Sequence, residues 1–243
     1  MLAGVSCVAP PPPFVLVQLP CTPPSPDIRI ELCQYAELMT ILLIRHGETA
    51  LNASRTLQPA DTPLSARGLA QARAVATRVA AMGVRGILAS DLPRALRTAE
   101  AIAAATGLRM ETSSLLQERN FDDWRGQPHG SFSFDPLTHA GAPPGGESQA
   151  RFAQRVGQAW ALVVHTRGAL GGPLVVVTHG LVLRELFSTH LTLATGLSAP
   201  AHLGNTGLSR VEFEPPHAVM LLDCTRHLAG TADADDAQCL SGG

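Results

Sequence analysis

The sequence predicts an α/β fold, a three-layer α/β/α sandwich with a mostly parallel central sheet. Three observations carry this. Residues 41–44 and 174–177 are short, unbroken apolar runs, the pattern of strands buried on both faces. Long stretches with helical spacing separate them. Strands therefore alternate with helices along the chain, which places helices over both faces of a largely parallel sheet.

The elements follow in order. A first strand spans 41–44. Residues 66–82 place Leu69, Ala72, Val75, Ala76 and Val79 at helical intervals, and Gly83 stops the helix. A short second strand runs from Gly86 to Ser90. The helix 93–106 has Pro93 in its first turn and Gly107 after its end. A long helix covers 147–168, a fully apolar strand 174–177, and a helix about 181–190. Residues 208–213 and 218–222 read as the last strands.

The globular domain is expected over 39–225. Before it, Pro10 to Pro13 and Pro20, Pro23, Pro24 and Pro26 interrupt residues 1–38. Proline removes backbone donors and favours extended chain, so this stretch reads as a disordered extension, with Met39 as the natural start. It is not a signal peptide, because no basic residue precedes Arg29. Residues 226–243, small and acidic, are expected to be a disordered tail.

Composition narrows the function classes. The 243 residues are 45% hydrophobic with a formal net charge of -2, which gives no electrostatic case for nucleic acid or an anionic membrane as partner. No apolar run approaches the roughly 18 residues of a membrane span. Cys7, Cys21, Cys33, Cys224 and Cys239 form no C-x-x-C pair, and their odd number fits a reducing cytoplasm better than a disulfide framework. The chain contains no lysine, so all 18 basic residues are arginine. Arginine retains forked phosphate binding, while Schiff-base chemistry and a P-loop lysine are absent.

Ligands of open α/β sheets bind beyond the carboxyl ends of the strands. Arg45, His46 and Gly47 follow the first strand. Ser90, Asp91 and Arg94 follow the second, and His179 and Gly180 follow the strand 174–177. Two histidines and two arginines thus converge on one edge. Arginines and backbone N–H groups near Gly47 suit a phosphate, and a neutral imidazole can attack phosphorus to form a phosphohistidine. A second histidine can bind the equatorial oxygens, and a carboxyl, here Glu118, can protonate the leaving oxygen. No metal and no cofactor are required by this set.

The segment Leu43-Ile44-Arg45-His46-Gly47-Glu48-Thr49 with Asn52 resembles the signature of the histidine phosphatase superfamily, the phosphoglycerate-mutase-like family. The resemblance spans about residues 40–213. It extends to the run from Ser90 to Ala99, to Glu118 with the run from Phe121 to Gly126, and to the run from Pro144 to Ser148 with Arg155. The segment Val176-Val177-Thr178-His179-Gly180 and the turn Asn205-Thr206-Gly207 complete it. It implies a phosphoglycerate-mutase-like fold, with His46 as nucleophile. Arg45, Arg94 and His179 would form a phosphate pocket and Glu118 the proton donor. Asn52, Gln58 and Gly180 would be substrate contacts. One departure is Pro59 after Gln58, where family members commonly carry glycine.

The resemblance implies a phosphomonoester hydrolase acting on a small phosphorylated metabolite as a monomer or homodimer. Two rivals are a mutase using the same His46 and a non-catalytic phospho-ligand binder. The short Phe121 to Gly126 loop and the absence of lysine favour the hydrolase, and the complete residue set disfavours the binder. Glu48 reads as a helix-terminus charge, Arg97 as a helix-surface charge, and Trp124 and Trp160 as packing residues. His129 and His139 read as loop histidines. His165, His190, His202, His217 and His227 show no metal-ligand spacing.

Overall fold

The computed structural model describes residues 40–198, 200 and 202–229, and the backbone of 240–241. The expected extension 1–38 and most of the expected tail lie outside the described residues.

The chain forms one sheet with helices on both faces. Strand β1 (Thr40–Arg45) lies at its centre. A one-turn helix α1 (Ala50–Ala53), helix α2 (Ala66–Ala80), strand β2 (Gly86–Ala89), helix α3 (Pro93–Thr106) and strand β3 (Met110–Thr112) follow. The second half supplies helix α4 (Gln149–Leu170), strand β4 (Leu174–Thr178), helix α5 (Gly180–Thr189), and strands β5 (Thr192–Leu193), β6 (Leu208–Glu212) and β7 (Ala218–Cys224). The strand order is β3-β2-β4-β1-β6-β7-β5. Along it β6 alone runs against the others, so the sheet is mostly parallel as predicted.

Alternation on β1 builds the two cores. Ile41 and Leu43 face a layer with Phe152, Val156 and Val163 of α4 and Leu183 of α5. Leu42 and Ile44 face Val75 and Val79 of α2 and Ala95, Ala99 and Ile102 of α3. Both faces of β1 are buried, which is why its run shows no polar alternation. Trp160 packs in the first core, 7% exposed.

Three expectations need correction. The long helix begins at Gln149 and not at 147, because the Ser148 side chain accepts from the Arg151 N–H and caps it. Strands β3 and β5 were not expected. The tail is not wholly irregular: Arg226–Leu228 form a 3₁₀ turn with Leu228 buried, and Leu240–Ser241, strand β8, pair with β7.

No helix among the described residues is long and apolar enough to cross a membrane.

Candidate active site

Register brings the two histidines together. Strands β1 and β4 are parallel neighbours with Arg45 opposite Thr178. The next residue on each is histidine, so His46 and His179 leave the sheet side by side, with ring centroids 5.1 Å apart. Strand β2 pairs with β4 through Ala89 and Val177, which sets Ser90 beside His179. The convergence read from the strand ends is therefore a consequence of sheet order.

The loop after β1 is held by close packing. A side chain on Gly47 would lie 2.6 Å from the Gly68 carbonyl oxygen, and one on Gly68 would lie 2.0 Å from the Glu48 oxygen. The His46 loop and the first turn of α2 can touch only as glycines. Glu48 closes this contact, accepting from Ser65 Oγ at 2.9 Å and pairing with Arg67 at 3.1 Å. The backbone N–H groups here are not available to an anion as the sequence suggested. Gly47 N–H donates to Thr98 Oγ1 and Glu48 N–H to Gln71 Oε1.

Hydrogen bonds set the state of each ring. His46 is 2% exposed, and its Nδ1 lies 2.7 Å from the Gly47 carbonyl. That oxygen can only accept, so Nδ1 carries the proton and Nε2 keeps its lone pair. Burial, then the charges of Arg94 and Arg45, hold the His46 pKa well below its ordinary 6.5, outweighing the Gly47 bond. The imidazole is thus neutral, with the Nε2 lone pair free to act as a nucleophile would. His179 is fully buried, with Nε2 2.8 Å from Ser90 Oγ. Ser90 Oγ also accepts from the Leu92 N–H; a Ser90 hydroxyl that donates to Nε2 puts the His179 proton on Nδ1. Burial, then Arg94, His46 and Arg45, push the His179 pKa well down too.

Among the described residues three buried nitrogens in this cluster have no hydrogen-bond partner: Nε of Arg45, Nε of Arg94 and Nδ1 of His179. A buried unpaired donor costs about 1–3 kcal/mol, so an anion seated among them would relieve all three. One terminal nitrogen of each guanidinium is anchored. Arg45 donates to the Leu203 carbonyl, and Arg94 to the carbonyls of Pro59 and Ala60 at 3.3 and 3.4 Å. Burial lowers the Arg94 pKa to about 10 against the opposing charge of Glu118, which leaves it charged at neutral pH.

Glu118 lies on the cavity wall. Its carboxylate accepts from the N–H groups of Arg119 at 3.0 Å and Leu181 at 3.2 Å, the latter at the N-terminus of α5. The segment that carries it is gripped by Arg155, which donates to the carbonyls of Leu115, Gln117 and Glu118 and holds Glu147 through two bonds of 2.8 and 2.7 Å. Burial alone would raise the Glu147 carboxyl, but the Arg155 bonds hold it below its ordinary value.

The cavity measures about 1130 Å³. Arg45, His46, Arg94, Glu118, Asn52, Gln58 and Gly180 all line it. Asn52 forms a capping box with Thr49 and accepts from Asn205 at 3.4 Å. Gln58 Oε1 accepts from Thr49 Oγ1 at 3.0 Å, so the Pro59 departure leaves Gln58 on the wall. His129 also lines the cavity, while His139 packs with Trp124 and Phe134 in an aromatic cluster. Arg97 pairs with Glu100 on the surface. Among the described residues no group of three or more histidine, cysteine or acidic side chains is placed to hold a metal ion.

The sequence reading missed the part of Ser90 and the Arg155–Glu147 grip. A polar residue at the end of β2 was the signal for the first. The second joins residues far apart in sequence and has no local signal.

A sequence model of the histidine phosphatase superfamily (branch 1) matches residues 41–223. A Yersinia enterocolitica protein named "Probable phosphoglycerate mutase GpmB" is 35% identical over a 187-residue alignment covering 73% of this chain and 86% of the relative. A mycobacterial glucosyl-3-phosphoglycerate phosphatase, solved with VO3, is 29% identical with a TM-score of 0.62, over 72% of this chain and 91% of that one. The Bacillus stearothermophilus protein YhfR is 27% identical with a TM-score of 0.63, over 74% of this chain and 93% of that one.

Proposed function

Because the chain belongs to the histidine phosphatase superfamily, we propose that it is a phosphomonoester hydrolase that works through a covalent phosphohistidine on His46. The observation that carries this reading is the set of three unpaired buried nitrogens around a neutral His46. They supply charge-assisted bonds to a phosphoryl group and to the charge that develops on its oxygens.

The reaction follows from the residues. Phosphate sits between Arg45, Arg94 and His179, and the Nε2 lone pair of His46 attacks phosphorus. The ester oxygen leaves with a proton from the Glu118 carboxyl. Water then attacks the phosphohistidine and gives a proton to the Glu118 carboxylate, releasing inorganic phosphate and restoring both groups. Water access separates this outcome from the mutase outcome. A cavity of about 1130 Å³ leaves room for water beside a small substrate, and no lysine is present to hold a sugar acid closed. The relative named as a mutase makes internal phosphoryl transfer the rival.

Hydrolysis of an aryl phosphate in excess chelator, alongside conversion of 3-phosphoglycerate to its 2-isomer, tests the choice. The hydrolase reading expects phosphate release that vanishes in His46→Ala, with no isomer formed. Isomerisation without net phosphate release would assign the chain to the mutases.

A further inference from the structure

Just past residue 223, where the match to the family ends, the chain makes the 3₁₀ turn Arg226–Leu228. The turn packs on α2, with Leu228 buried. Its His227 is half-buried and does not line the cavity.

His227 joins α2 to the turn that holds the nucleophile loop. Arg78 Nη1 lies 3.3 Å from His227 Nδ1, and His227 Nε2 lies 3.0 Å from Thr206 Oγ1. A guanidinium has donors only, so Nδ1 accepts and the ring proton lies on Nε2. Burial, then the Arg78 charge, lowers the His227 pKa to about 4, so the ring is neutral at pH 7 and this direction holds. Nε2–H donates to Thr206 Oγ1, which donates in turn to the Asn205 carbonyl at 2.7 Å. The bonds run one way, from Arg78 to Asn205. Arg78 is itself fixed by the Cys224 carbonyl at 3.2 Å.

The far end of this chain grips His46. The His46 carbonyl accepts from Asn205 Nδ2 at 3.1 Å and from the Thr206 N–H at 3.4 Å. The N–H of the same peptide, that of Gly47, donates to Thr98. The peptide that carries His46 is therefore clamped at both edges, and its rotation would swing the ring. Thr206 makes its contacts at a φ of 56°, a left-handed conformation that strains a β-branched residue. Such a residue persists where its surroundings fix it, and the His227 bond fixes the hydroxyl of buried Thr206. The arginine side of the pocket is held separately. Arg45 donates to the Leu203 carbonyl, and Gly204 N–H donates to both carboxylate oxygens of Asp223 at 3.0 and 2.8 Å.

We propose that His227 is a positioning residue for the reaction: acting through Thr206 and Asn205, it aims His46 at phosphorus, while the arginine seat rests on Asp223. The inference rests on His46 as the nucleophile of the hydrolase reading.

Two measurements take aim and seat apart. Rapid quench with an aryl phosphate reads the first-turnover rate of phosphoryl transfer to His46, and calorimetry reads the affinity for inorganic phosphate. His227→Ala should slow transfer about tenfold, the value of one hydrogen bond, and change phosphate affinity by less than about twofold. His227→Gln keeps one amide donor and one acceptor and should recover most of the rate. Thr206→Val deletes the hydroxyl, keeps the branch and should reproduce the loss, which supplies the comparison if His227→Ala does not fold. Transfer at the unmutated rate in these variants, a fall in phosphate affinity equal to the fall in rate, or a loss in His227→Gln as large as in His227→Ala would overturn the positioning role alone. An unmutated protein that puts no phosphoryl group on His46 would overturn the hydrolase reading, and this role with it.

Discussion

At the scale of single residues, the site is a problem of protons held in place. His46 is useful because the Gly47 carbonyl fixes its proton on Nδ1 and burial keeps the ring neutral. Ser90 does the corresponding work for His179. Ser90→Ala leaves Nε2 without a donor and lets the ring take the other tautomer, which removes the proton from Nδ1. The expected effect is a fall of about tenfold in kcat/KM, the value of one hydrogen bond, with the fold intact. Steady-state kinetics with an aryl phosphate checks it; an unchanged kcat/KM would remove Ser90 from the positioning role. The histidines, arginines and Glu118 were legible because each follows a recognisable strand or motif. Which atoms they bond was not, because Gly47 meets Thr98 and Glu48 meets Gln71 across the fold.

At the scale of elements, a strand end positions one side chain and a long-range grip positions another. Parallel pairing of β1 with β4 alone brings His46 beside His179. Glu118 has no strand to hold it and depends on Arg155 of α4, which binds three carbonyls and Glu147. Arg155→Met should cost about 2 kcal/mol of stability, since it strips charged hydrogen bonds from a half-buried carboxylate. It should also slow esters with poor leaving groups more than those with good ones, because only the former need the Glu118 proton. Urea unfolding and a leaving-group series measure both. Equal slowing across the series would mean the grip is structural only. Strands β1 and β4 were legible from unbroken apolar runs. Strand β3, Met110–Thr112, ends in two exposed residues and β5 has only two residues, so neither carries enough apolar pattern to be seen.

At the scale of the molecule, the site couples stability to pH. His46 and His179 have pKa values well below 6.5 in the fold, each chiefly through burial. His227, held between Arg78 and Thr206, is lowered to about 4 by burial and then Arg78. Below pH 6.5 the unfolded chain binds protons that the folded chain refuses, so stability falls as pH falls through this range. For His227 the window runs from 6.5 down to about 4. Thermal unfolding should therefore shift to lower temperature between pH 7 and 5, and added phosphate should raise Tm by binding the folded state alone. A Tm that is flat or rises on acidification would contradict the buried neutral histidines. The layered architecture was legible because strand and helix periods alternate cleanly. The reversal of β6 between β1 and β7 was not, since direction within a sheet leaves no mark on a short apolar segment.

The most direct test of the account is to trap the phosphoenzyme. The protein is mixed with a phosphate ester, quenched within the first turnover and analysed by mass for one added phosphoryl group. The account predicts an acid-labile, base-stable adduct on His46 that forms and decays fast enough to carry turnover and is absent from His46→Ala. Phosphate release with no adduct, or an adduct that survives in His46→Ala, would contradict it.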